Sequence, residues 1–356
     1  MGSAEQLTMA ATPAQGGAFR LQVAALIEET ADSRSVVLDV PAELEARFAY
    51  LPGQFLGFRV NLDGQRLTRC YSMSSSPDCD AQPRVTVKRV AGGRVSNWFN
   101  EQVRVGDWLE VLPPAGQFHL RPGEHELVLF GGGSGITPVF SILKSALLTS
   151  ARRITLIYAN RDEASVIFRD ELRGLAKAHS ERLQVIHVLD SLQGFLSEGE
   201  VRQLVRGHGG AEFFICGPGP FMDTVEKTLL GVGEDPRRIH LERFVSPADA
   251  PVEPEGEGAA ADAPQQVELQ VQLDGQQHNL TYRPGDTLLQ SCLAAGLEAP
   301  FSCEEGFCGA CMCKVEEGEV RLLRNDVLTP AELAEGWTLA CQGRPQSARL
   351  RLKFPD

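Results

Sequence analysis

After a short N-terminal tail, the chain carries brief runs of alternating apolar and polar residues, each bounded by turn-forming residues. Many short strands of this kind are typical of an antiparallel barrel or sandwich. A single helix is predicted over residues 96–103, with Ser96 as its N-cap. We therefore predict a β-domain over residues 19–122. Its predicted strands lie at 21–29, 35–40, 55–60, 66–73, 84–90 and 108–114.

The pattern changes over residues 123–247, where continuous apolar runs alternate with amphipathic stretches. A strand that is apolar on both faces is typical of a buried parallel sheet, and the intervening amphipathic stretches fit helices that cover it. This alternation predicts a doubly wound parallel α/β sheet. The four clearest apolar runs lie at 126–131, 153–160, 183–190 and 212–217.

The remaining segments have three different compositions. Residues 248–264 are rich in proline, glycine, alanine and acidic residues, as a linker is, and contain no aromatic residue. Residues 265–356 begin with two strand patterns and a helix pattern, which predicts a small α+β domain. Residues 1–18 lack both patterns, and we expect a disordered tail there.

Charge and hydropathy narrow the possible functions. With 34 basic and 47 acidic residues the formal net charge is −13, which disfavours binding to nucleic acid or to an anionic membrane. No apolar run reaches the roughly 18 residues needed to span a bilayer. The first residues do not follow the pattern of a secretory signal. We therefore expect a cytoplasmic protein.

Five of the nine cysteines lie near the C-terminus, and four of them have an informative spacing. A C-x4-C-x2-C run with a distant fourth cysteine is the plant-type [2Fe–2S] pattern. Two glycines within the run allow a tight loop with backbone N–H groups directed at the sulfurs. A structural zinc site or buried thiols are the alternatives, although only one pair has zinc-like spacing. The four candidate ligands are Cys303, Cys308, Cys311 and Cys341.

Residues 69–75 (RCYSMSS) lie on a predicted strand, and the two-residue period places Arg69 and Tyr71 on the face opposite Ser72. An arginine can bind a pyrophosphate with two parallel bonds, and a tyrosine can stack on a planar ring. Further on, Gly93 precedes the predicted helix start at Ser96, where free N–H groups can bind phosphate. Each feature alone is also consistent with an ordinary strand or hairpin.

Residues 126–147 read as a strand, a glycine-rich turn and a helix. Thr137 is predicted to cap the helix, with Pro138 at its first position, and the turn allows a pyrophosphate to approach the helix N-terminus. The turn is not a strict G-x-G-x-x-G because position 136 is isoleucine. After the next strand, Arg161 could pair with a ribose 2′-phosphate and Asp162 would repel it, so the choice between NADH and NADPH stays open.

The order of PGQF (52–55), RCYSMSS (69–75), GGGSGITP (131–138) and ICGPGPFM (215–222) resembles the ferredoxin–NADP reductase superfamily. With the C-terminal cysteines, residues 19–356 resemble the flavin and iron–sulfur reductases of multicomponent oxygenases. The resemblance implies an FAD-binding antiparallel β-barrel, an NAD-binding doubly wound domain and a β-grasp ferredoxin domain. These would occupy residues 19–122, 123–247 and 265–356, with the linker at 248–264.

The resemblance also implies roles for individual residues. Tyr71 and Phe244 would cover the flavin ring, and Ser72 would tune its reactive edge. Cys216 would help to place the nicotinamide, and Glu242 would lie near the hydride path. These five would be the catalytic residues. The implied cofactor-binding residues are Arg69, Tyr71, Ser72, Val87, Lys88, Gly92, Gly93, Val95, Ser96, Gly132, Gly133, Ser134, Gly135, Thr137, Arg161, Cys216, Gly217, Pro218 and Phe244.

Within this group the sequence most resembles the reductase components of 3-ketosteroid 9α-hydroxylases, which also have RCYSMSSSP, LDSLQG and NDVL. This implies electron transfer from NADH, with NADPH as the alternative donor, through FAD and the [2Fe–2S] cluster. The acceptor would be a Rieske-type, non-haem iron terminal oxygenase of steroid degradation, and the reductase a monomer. The alternatives are the reductase of a phenylacetyl-CoA epoxidase or of an aromatic-ring oxygenase. A redox sensor is the alternative from a different class.

Overall fold

The computed structural model describes residues 17–244, 266–325 and 327–355. They belong to two compact units, one ending at Phe244 and the other comprising the described residues from 266 onwards. The predicted linker at 248–264 and nearly all of the predicted tail lie outside the described residues. Within the described ranges, no helix combines the length and the hydropathy needed to cross a bilayer.

Six antiparallel strands form the first sheet, in the order β4-β3-β6-β1-β2-β5. A bridge between Met73 and Val85 joins the two ends of this order, so the sheet closes into a barrel around an apolar core. The predicted antiparallel barrel is thus confirmed. The strands are β1 (Phe19–Thr30), β2 (Ser33–Asp39), β3 (Phe55–Leu62), β4 (Gln65–Ser72), β5 (Arg84–Lys88) and β6 (Trp108–Ala115), and helix α1 (Arg94–Glu101) follows β5.

The second sheet is entirely parallel, in the order β11-β10-β7-β8-β9, and it confirms the predicted doubly wound domain. The chain starts in the middle and winds to both edges, which places a crevice at the carboxyl ends of the central strands. The strands are β7 (Leu127–Gly132), β8 (Ile154–Asn160), β9 (Leu183–Leu189), β10 (Glu212–Gly217) and β11 (Ile239–Arg243). The helices are α2 (Ile136–Thr149), α3 (Arg169–Ala178), α4 (Asp190–Gln193), α5 (Glu198–Leu204) and α6 (Gly219–Gly231).

Helix α2 joins the barrel to the parallel sheet. It is predicted to be amphipathic, yet its residues are buried from Ile136 to Leu147. The polar face is buried because it bonds to the barrel: the Ser141 hydroxyl donates to the Ser75 carbonyl at 2.5 Å, and Lys144 pairs with Asp80. The barrel and the parallel sheet consequently form one compact unit.

The start of α1 differs from the prediction. The helix begins at Arg94, after Gly93, so the predicted N-cap at Ser96 is wrong. Ser96 lies inside the first turn, where its hydroxyl accepts a hydrogen bond from the Val90 N–H at 3.2 Å. The hydroxyl therefore stabilises the turn at Gly92 and Gly93 and does not cap the helix.

The predicted start of α2 is also wrong. A 3₁₀ turn over Gly133–Gly135 runs directly into the helix, which begins at Ile136. The Thr137 hydroxyl donates to the Ser134 carbonyl at 3.1 Å, and Pro138 is the third helical residue. The early start arises because the turn already has helical hydrogen bonding.

The second unit is a mixed five-stranded sheet in the order β13-β12-β18-β14-β16, with β12 and β18 parallel. Thr287 caps α7 in a capping box with Gln290. The sheet and helix form the expected ferredoxin-like α+β core. The elements are β12 (Glu268–Leu273), β13 (Gln276–Thr281), α7 (Leu288–Ala294), β14 (Met312–Glu317), β15 (Val320–Leu322), α8 (Pro330–Ala334), β16 (Trp337–Leu339), β17 (Gly343–Pro345) and β18 (Arg349–Lys353).

Candidate functional site

Strand β4 presents an aromatic ring with an arginine two residues before it. The Tyr71 ring meets Phe99 edge-on at 5.2 Å and lies tilted against Phe58 at 5.9 Å. Both phenylalanines are fully buried, so they hold the tyrosine ring in one orientation. Burial raises the pKa of Tyr71, and its hydroxyl stays neutral at physiological pH. Arg69 is on the same face, and its Nη1 donates to the Thr68 carbonyl at 2.7 Å.

The turn before α1 favours glycine at two successive positions, by its backbone conformation at Gly92 and by close packing at Gly93. Gly92 has φ +71°, and a Cβ at Gly93 would lie 2.5 Å from the Ser96 hydroxyl oxygen. Val95, in the first helical turn, is buried against the barrel core. The backbone N–H groups at this helix start are a suitable site for a phosphate.

The preceding strand, β5, ends in Val87 and Lys88. The Val87 carbonyl accepts a hydrogen bond from the Asn100 side chain at 3.1 Å, which ties β5 to α1. The Lys88 Nζ lies 3.8 Å from the Asp32 carboxylate. These contacts hold the end of β5 against the last turn of α1 and against the turn between β1 and β2.

A hydrogen bond joins the barrel to the parallel sheet at the site. The buried Ser72 hydroxyl donates to the Glu242 carboxylate at 2.9 Å, across 170 positions of sequence. Burial raises the pKa of Glu242 to about 8, because an apolar environment disfavours the charged form, and the Ser72 bond offsets only part of this effect. At pH 7 Glu242 is mostly a neutral acid.

Cys216 lies beside this pair at the carboxyl end of β10, in register with Gly131 on one side and Glu242 on the other. It is fully buried. Burial and the neighbouring Glu242 carboxylate both raise its pKa, so the sulfur is a thiol. The two sheets thus bring Ser72, Cys216 and Glu242 together from distant parts of the chain.

The two glycine-rich loops pack against each other. A Cβ at Gly135 would lie 2.2 Å from the Cys216 carbonyl oxygen, and one at Gly132 would lie 2.8 Å from Pro218. These glycines are required for loop packing, whereas sequence reasoning attributed them to the approach of a phosphate. Gly133 differs, because it has φ +53° and open space around its Cβ position.

The residues after β8 line the outer part of the same carboxyl edge. The Asp162 carboxylate accepts from the Ser165 N–H at 2.9 Å and from the Arg161 Nε at 3.0 Å. The Arg161 side chain is nevertheless 71% exposed. The Ser191 N–H donates to the Arg161 carbonyl, which brings Asp190 to this edge. Sequence reasoning gave Asp190 no role, although it lies in the LDSLQG motif (189–194).

Three apolar side chains are exposed near the carboxyl ends of β9 and β11. Leu192 and Phe195 are 80% and 86% exposed, and Phe244, directly after β11, is 47% exposed. Phe244 was predicted from the resemblance, whereas the other two were missed. The only sequence signal for Leu192 and Phe195 is that both are apolar within an otherwise polar segment. That segment is too short to show a recognisable pattern.

The cysteine loop surrounds its sulfurs with backbone donors. The Cys303 N–H donates to Cys308 Sγ at 3.4 Å, the Glu305 N–H to Cys303 Sγ at 3.3 Å, and the Cys341 N–H to Cys311 Sγ at 3.4 Å. The Cys303 sulfur also contacts the sulfurs of Cys308 and Cys341. Contacts with the Cys308 and Cys341 sulfurs, together with the backbone donors, lower the pKa of Cys303, so its thiolate is favoured. The Cys341 sulfur contacts that of Cys311 in turn, so the four sulfurs converge, and with these N–H donors they fit an iron–sulfur cluster.

Neighbouring residues fix this loop. A Cβ at Gly306, where φ is +80°, would lie 2.9 Å from the Gln342 side chain and 3.0 Å from the Arg324 carbonyl. The Gln342 side chain donates to the Glu304 carbonyl at 2.8 Å. The Asn325 side chain accepts from the Leu328 N–H at 2.8 Å and closes the next turn. The Gln342 side chain and the Arg324 backbone therefore support the cysteine loop.

Known protein families match all three parts of the chain. Residues 20–120 match the oxidoreductase FAD-binding domain, residues 129–227 the oxidoreductase NAD-binding domain, and residues 271–346 the 2Fe-2S iron-sulfur cluster binding domain. A full-length relative is the ferredoxin reductase component of 3-ketosteroid-9-alpha-monooxygenase from Rhodococcus rhodochrous. It is 47% identical, over 94% of this chain and 96% of the relative. The chain belongs to this ferredoxin reductase family.

More distant relatives share the architecture of this ferredoxin reductase. A 1,2-phenylacetyl-CoA epoxidase subunit from Escherichia coli (strain K12) is 33% identical over 94% of this chain and 97% of that one. The solved structure of phthalate dioxygenase reductase superposes with a TM-score of 0.58 at 25% identity, covering 96% of this chain and all of that one. This ferredoxin reductase is an NAD(P)H-dependent electron-transfer oxidoreductase with FAD and a [2Fe–2S] cluster.

Proposed function

We propose that this ferredoxin reductase takes electrons from NADH and delivers them through FAD and the [2Fe–2S] cluster to a terminal oxygenase. One observation carries the proposal: a single chain holds both the Ser72–Glu242–Cys216 cluster and four converging cysteine sulfurs. When bound, flavin accepts two electrons together and releases them singly, which a [2Fe–2S] cluster requires. We assign the flavin, nucleotide and cluster domains to residues 19–122, 123–247 and 265–356.

In this proposal the barrel holds the flavin. Arg69 binds its pyrophosphate together with the first turn of α1, where Gly92 and Gly93 leave the backbone accessible. Val87, Lys88, Val95 and Ser96 form the wall of this phosphate site. Tyr71 stacks on one face of the ring, supported by Phe99. Phe244, which has an exposed ring, covers the other face.

Three residues act at the reactive edge. Ser72 and the neutral Glu242 form a hydrogen-bonded pair that presents a protonated acid beside the ring at neutral pH. Cys216 supplies a buried, uncharged surface for the nicotinamide. The turn 132–135, together with Thr137, Gly217 and Pro218, holds the rest of the nicotinamide half.

We propose NADH as the preferred donor. Two carboxylates, Asp162 and Asp190, lie at the edge where the ribose 2′ position would be read, and one exposed guanidinium, Arg161, opposes them. The Asp162 carboxylate already neutralises Arg161 through a bond of 3.0 Å. Little positive charge therefore remains to attract a 2′-phosphate.

We propose that Cys303, Cys308, Cys311 and Cys341 hold the [2Fe–2S] cluster. Their backbone donors stabilise the reduced state, because N–H groups directed at sulfur favour added negative charge. The cluster domain would then pass single electrons to the partner. The acidic excess of the whole chain suits a partner with a basic docking face.

The partner we propose is the Rieske-type oxygenase of a 3-ketosteroid 9α-hydroxylase, with the reductase acting as a cytoplasmic monomer. The 47% identical Rhodococcus relative supports this choice. The second candidate is a phenylacetyl-CoA epoxidase, which the 33% identical relative favours. The test supplies the reductase and NADH to each purified oxygenase with its own substrate. We expect steroid hydroxylation to be at least tenfold faster than epoxidation, and the reverse ratio would transfer the assignment to the epoxidase.

A further inference from the structure

A buried tyrosine lies directly beneath the glycine turn of the nucleotide site. Tyr158, in β8, is fully buried and pairs in register with Gly131. Its ring lies below the turn, since a Cβ at Gly131 would be 3.5 Å from the ring. Its hydroxyl donates to the Gly133 carbonyl at 3.2 Å and accepts from the Ile167 N–H at 3.2 Å. One hydroxyl thus connects the turn to the segment before α3.

That segment is under backbone strain and contacts the barrel. Phe168 has φ +59°, a left-handed conformation that a bulky side chain adopts only when its surroundings impose it. Its ring stacks on Phe140 of α2 at 4.5 Å, and the Arg84 guanidinium of β5 lies 5.2 Å above it. Arg84 also pairs with Glu171 at 3.1 Å. The position of Ile167 is therefore fixed by the interface with the barrel.

A second polar group accompanies the tyrosine. Asn160, two residues further along β8, is 4% exposed. Its amide lies against the Tyr158 hydroxyl, yet it makes no hydrogen bond of regular geometry with the described residues. The Gly133 carbonyl and the Ile167 N–H are thus held by the Tyr158 hydroxyl and not by the Asn160 amide. Burial also keeps that hydroxyl protonated and able to donate, because it raises the pKa of Tyr158.

We infer that Tyr158 is a positioning residue for the nicotinamide nucleotide. Its hydroxyl holds the Gly133 carbonyl, and so the turn at 133–135, at a fixed position relative to the flavin barrel. The barrel acts on the turn through Arg84, Phe168 and Ile167. This inference rests on the proposed nucleotide role of the turn. Tyr158 itself touches no reacting atom and acts through the backbone of Gly133.

The test compares Tyr158→Phe with Tyr282→Phe in the holoenzyme. Tyr282 is a matched control in the other compact unit, because it is also buried and its hydroxyl donates to the Asp286 carbonyl at 3.0 Å. Anaerobic stopped-flow reduction by NADH gives the Kd for NADH and the limiting rate of flavin reduction. We expect Tyr158→Phe to raise the Kd for NADH roughly three- to tenfold. This is the size of effect expected from the loss of about one buried hydrogen bond. Tyr282→Phe should change it less than twofold.

A purely structural role would give a different result. Tyr158→Phe would then lower thermal stability while the Kd and the limiting rate stayed as in Tyr282→Phe, and this outcome would overturn the inference. Flavin and cluster content and reduction by dithionite should match the wild type. If NADH fails to reduce the wild-type flavin at all, the proposed function fails instead, and the two failures are distinguishable.

A measurement on the wild-type protein covers the case in which Tyr158→Phe does not fold. Hydrogen exchange is followed in peptides over 131–138, 165–168 and 282–290, with and without NADH. We expect NADH to slow exchange in the first two peptides together and to leave the third unchanged. Slowing at 131–138 with no effect at 165–168 would show that the turn is held independently of Ile167, against the inference.

Discussion

Glu242→Gln is expected to remove a pH dependence from the reduction of flavin by NADH. In the wild type the Ser72–Glu242 pair is neutral below about pH 8 and carries a negative charge above it. Reduction by NADH adds negative charge to the flavin. A negative charge on Glu242, beside the flavin site, opposes this addition. Glutamine keeps the shape and accepts the same Ser72 hydrogen bond, but it never ionises.

The size of the effect follows from the pKa and from Coulomb's law. With a pKa of about 8, roughly nine in ten Glu242 side chains are protonated at pH 7 and roughly one in ten at pH 9. Two unit charges about 6 Å apart in an effective dielectric of about 20 repel by roughly 3 kcal/mol. The protonated fraction at pH 9.5 is still roughly 3%, so we expect the limiting rate of the wild type to fall by roughly 10- to 30-fold between pH 7 and pH 9.5. The Glu242→Gln rate should stay within threefold.

Stability gives an independent check with a defined sign. The folded pKa of Glu242 is raised above its unfolded value of 4.5, so the native state binds the extra proton between about pH 4.5 and pH 8. Raising the pH through this window therefore favours unfolding of the wild type. Relative to Glu242→Gln, the free energy of unfolding of the wild type should fall by at most roughly 3 to 5 kcal/mol between pH 4.5 and pH 8. This is an upper bound, because Glu242 is only half-buried.

The assay is anaerobic stopped-flow absorbance at the flavin band from pH 6 to pH 9.5, with apparent melting temperatures measured in the same buffers. Ser72→Ala serves as the companion variant. It removes the bond that favours the carboxylate, so the midpoint should move to higher pH. Parallel rate profiles for wild type and Glu242→Gln across the whole range would refute the proposed position of Glu242 beside the flavin.

Three further predictions concern other parts of the molecule. Cys311→Ser should abolish the low-temperature EPR signal of the reduced cluster, while NADH-dependent reduction of ferricyanide through the flavin persists. Loss of both the EPR signal and ferricyanide reduction would argue against separate flavin and cluster sites. Gly135→Ala places a Cβ 2.2 Å from the Cys216 carbonyl and should weaken NADH binding at least tenfold, whereas Gly174→Ala, in open space on α3, should leave it unchanged. Arg161→Ala should lower kcat/KM for NADPH roughly three- to tenfold, with NADH changing less than twofold, because the side chain is exposed and screened; equal losses for both donors would contradict a role at the 2′ position.

Much of the architecture was predictable because it depends on local patterns. The continuous apolar runs match β7, β8 and β10 closely, since a strand buried on both faces must be apolar throughout. The spacing of the cysteine loop is equally local, and loop N–H groups directed at the sulfurs, as at Cys303 and Glu305, were anticipated from its glycines. Where the chemistry needs neighbours in sequence, the sequence is sufficient to predict it.

Contacts between distant segments account for what sequence reasoning missed. In sequence, the polar face of α2 has the pattern of a solvent-exposed surface. The same serine and lysine residues could hydrogen-bond either to water or to a buried group such as the Ser75 carbonyl, and the sequence does not distinguish the two. Gly135 cannot be told from a phosphate-binding glycine until the Cys216 backbone is seen against it. Asp190 reaches the nucleotide edge only through the Ser191–Arg161 bond.

These long-range contacts share a consequence for function. The Ser72–Glu242 bond, the Ser141–Ser75 bond and the Arg84–Phe168 contact all connect the barrel with the parallel sheet. The flavin and nucleotide sites therefore cannot change their separation without breaking buried polar contacts, each worth about 1 kcal/mol or more. Transfer between two bound rings requires a fixed, short separation, and a tight interface satisfies that requirement. The same contacts explain why one compact unit, rather than two, holds both sites.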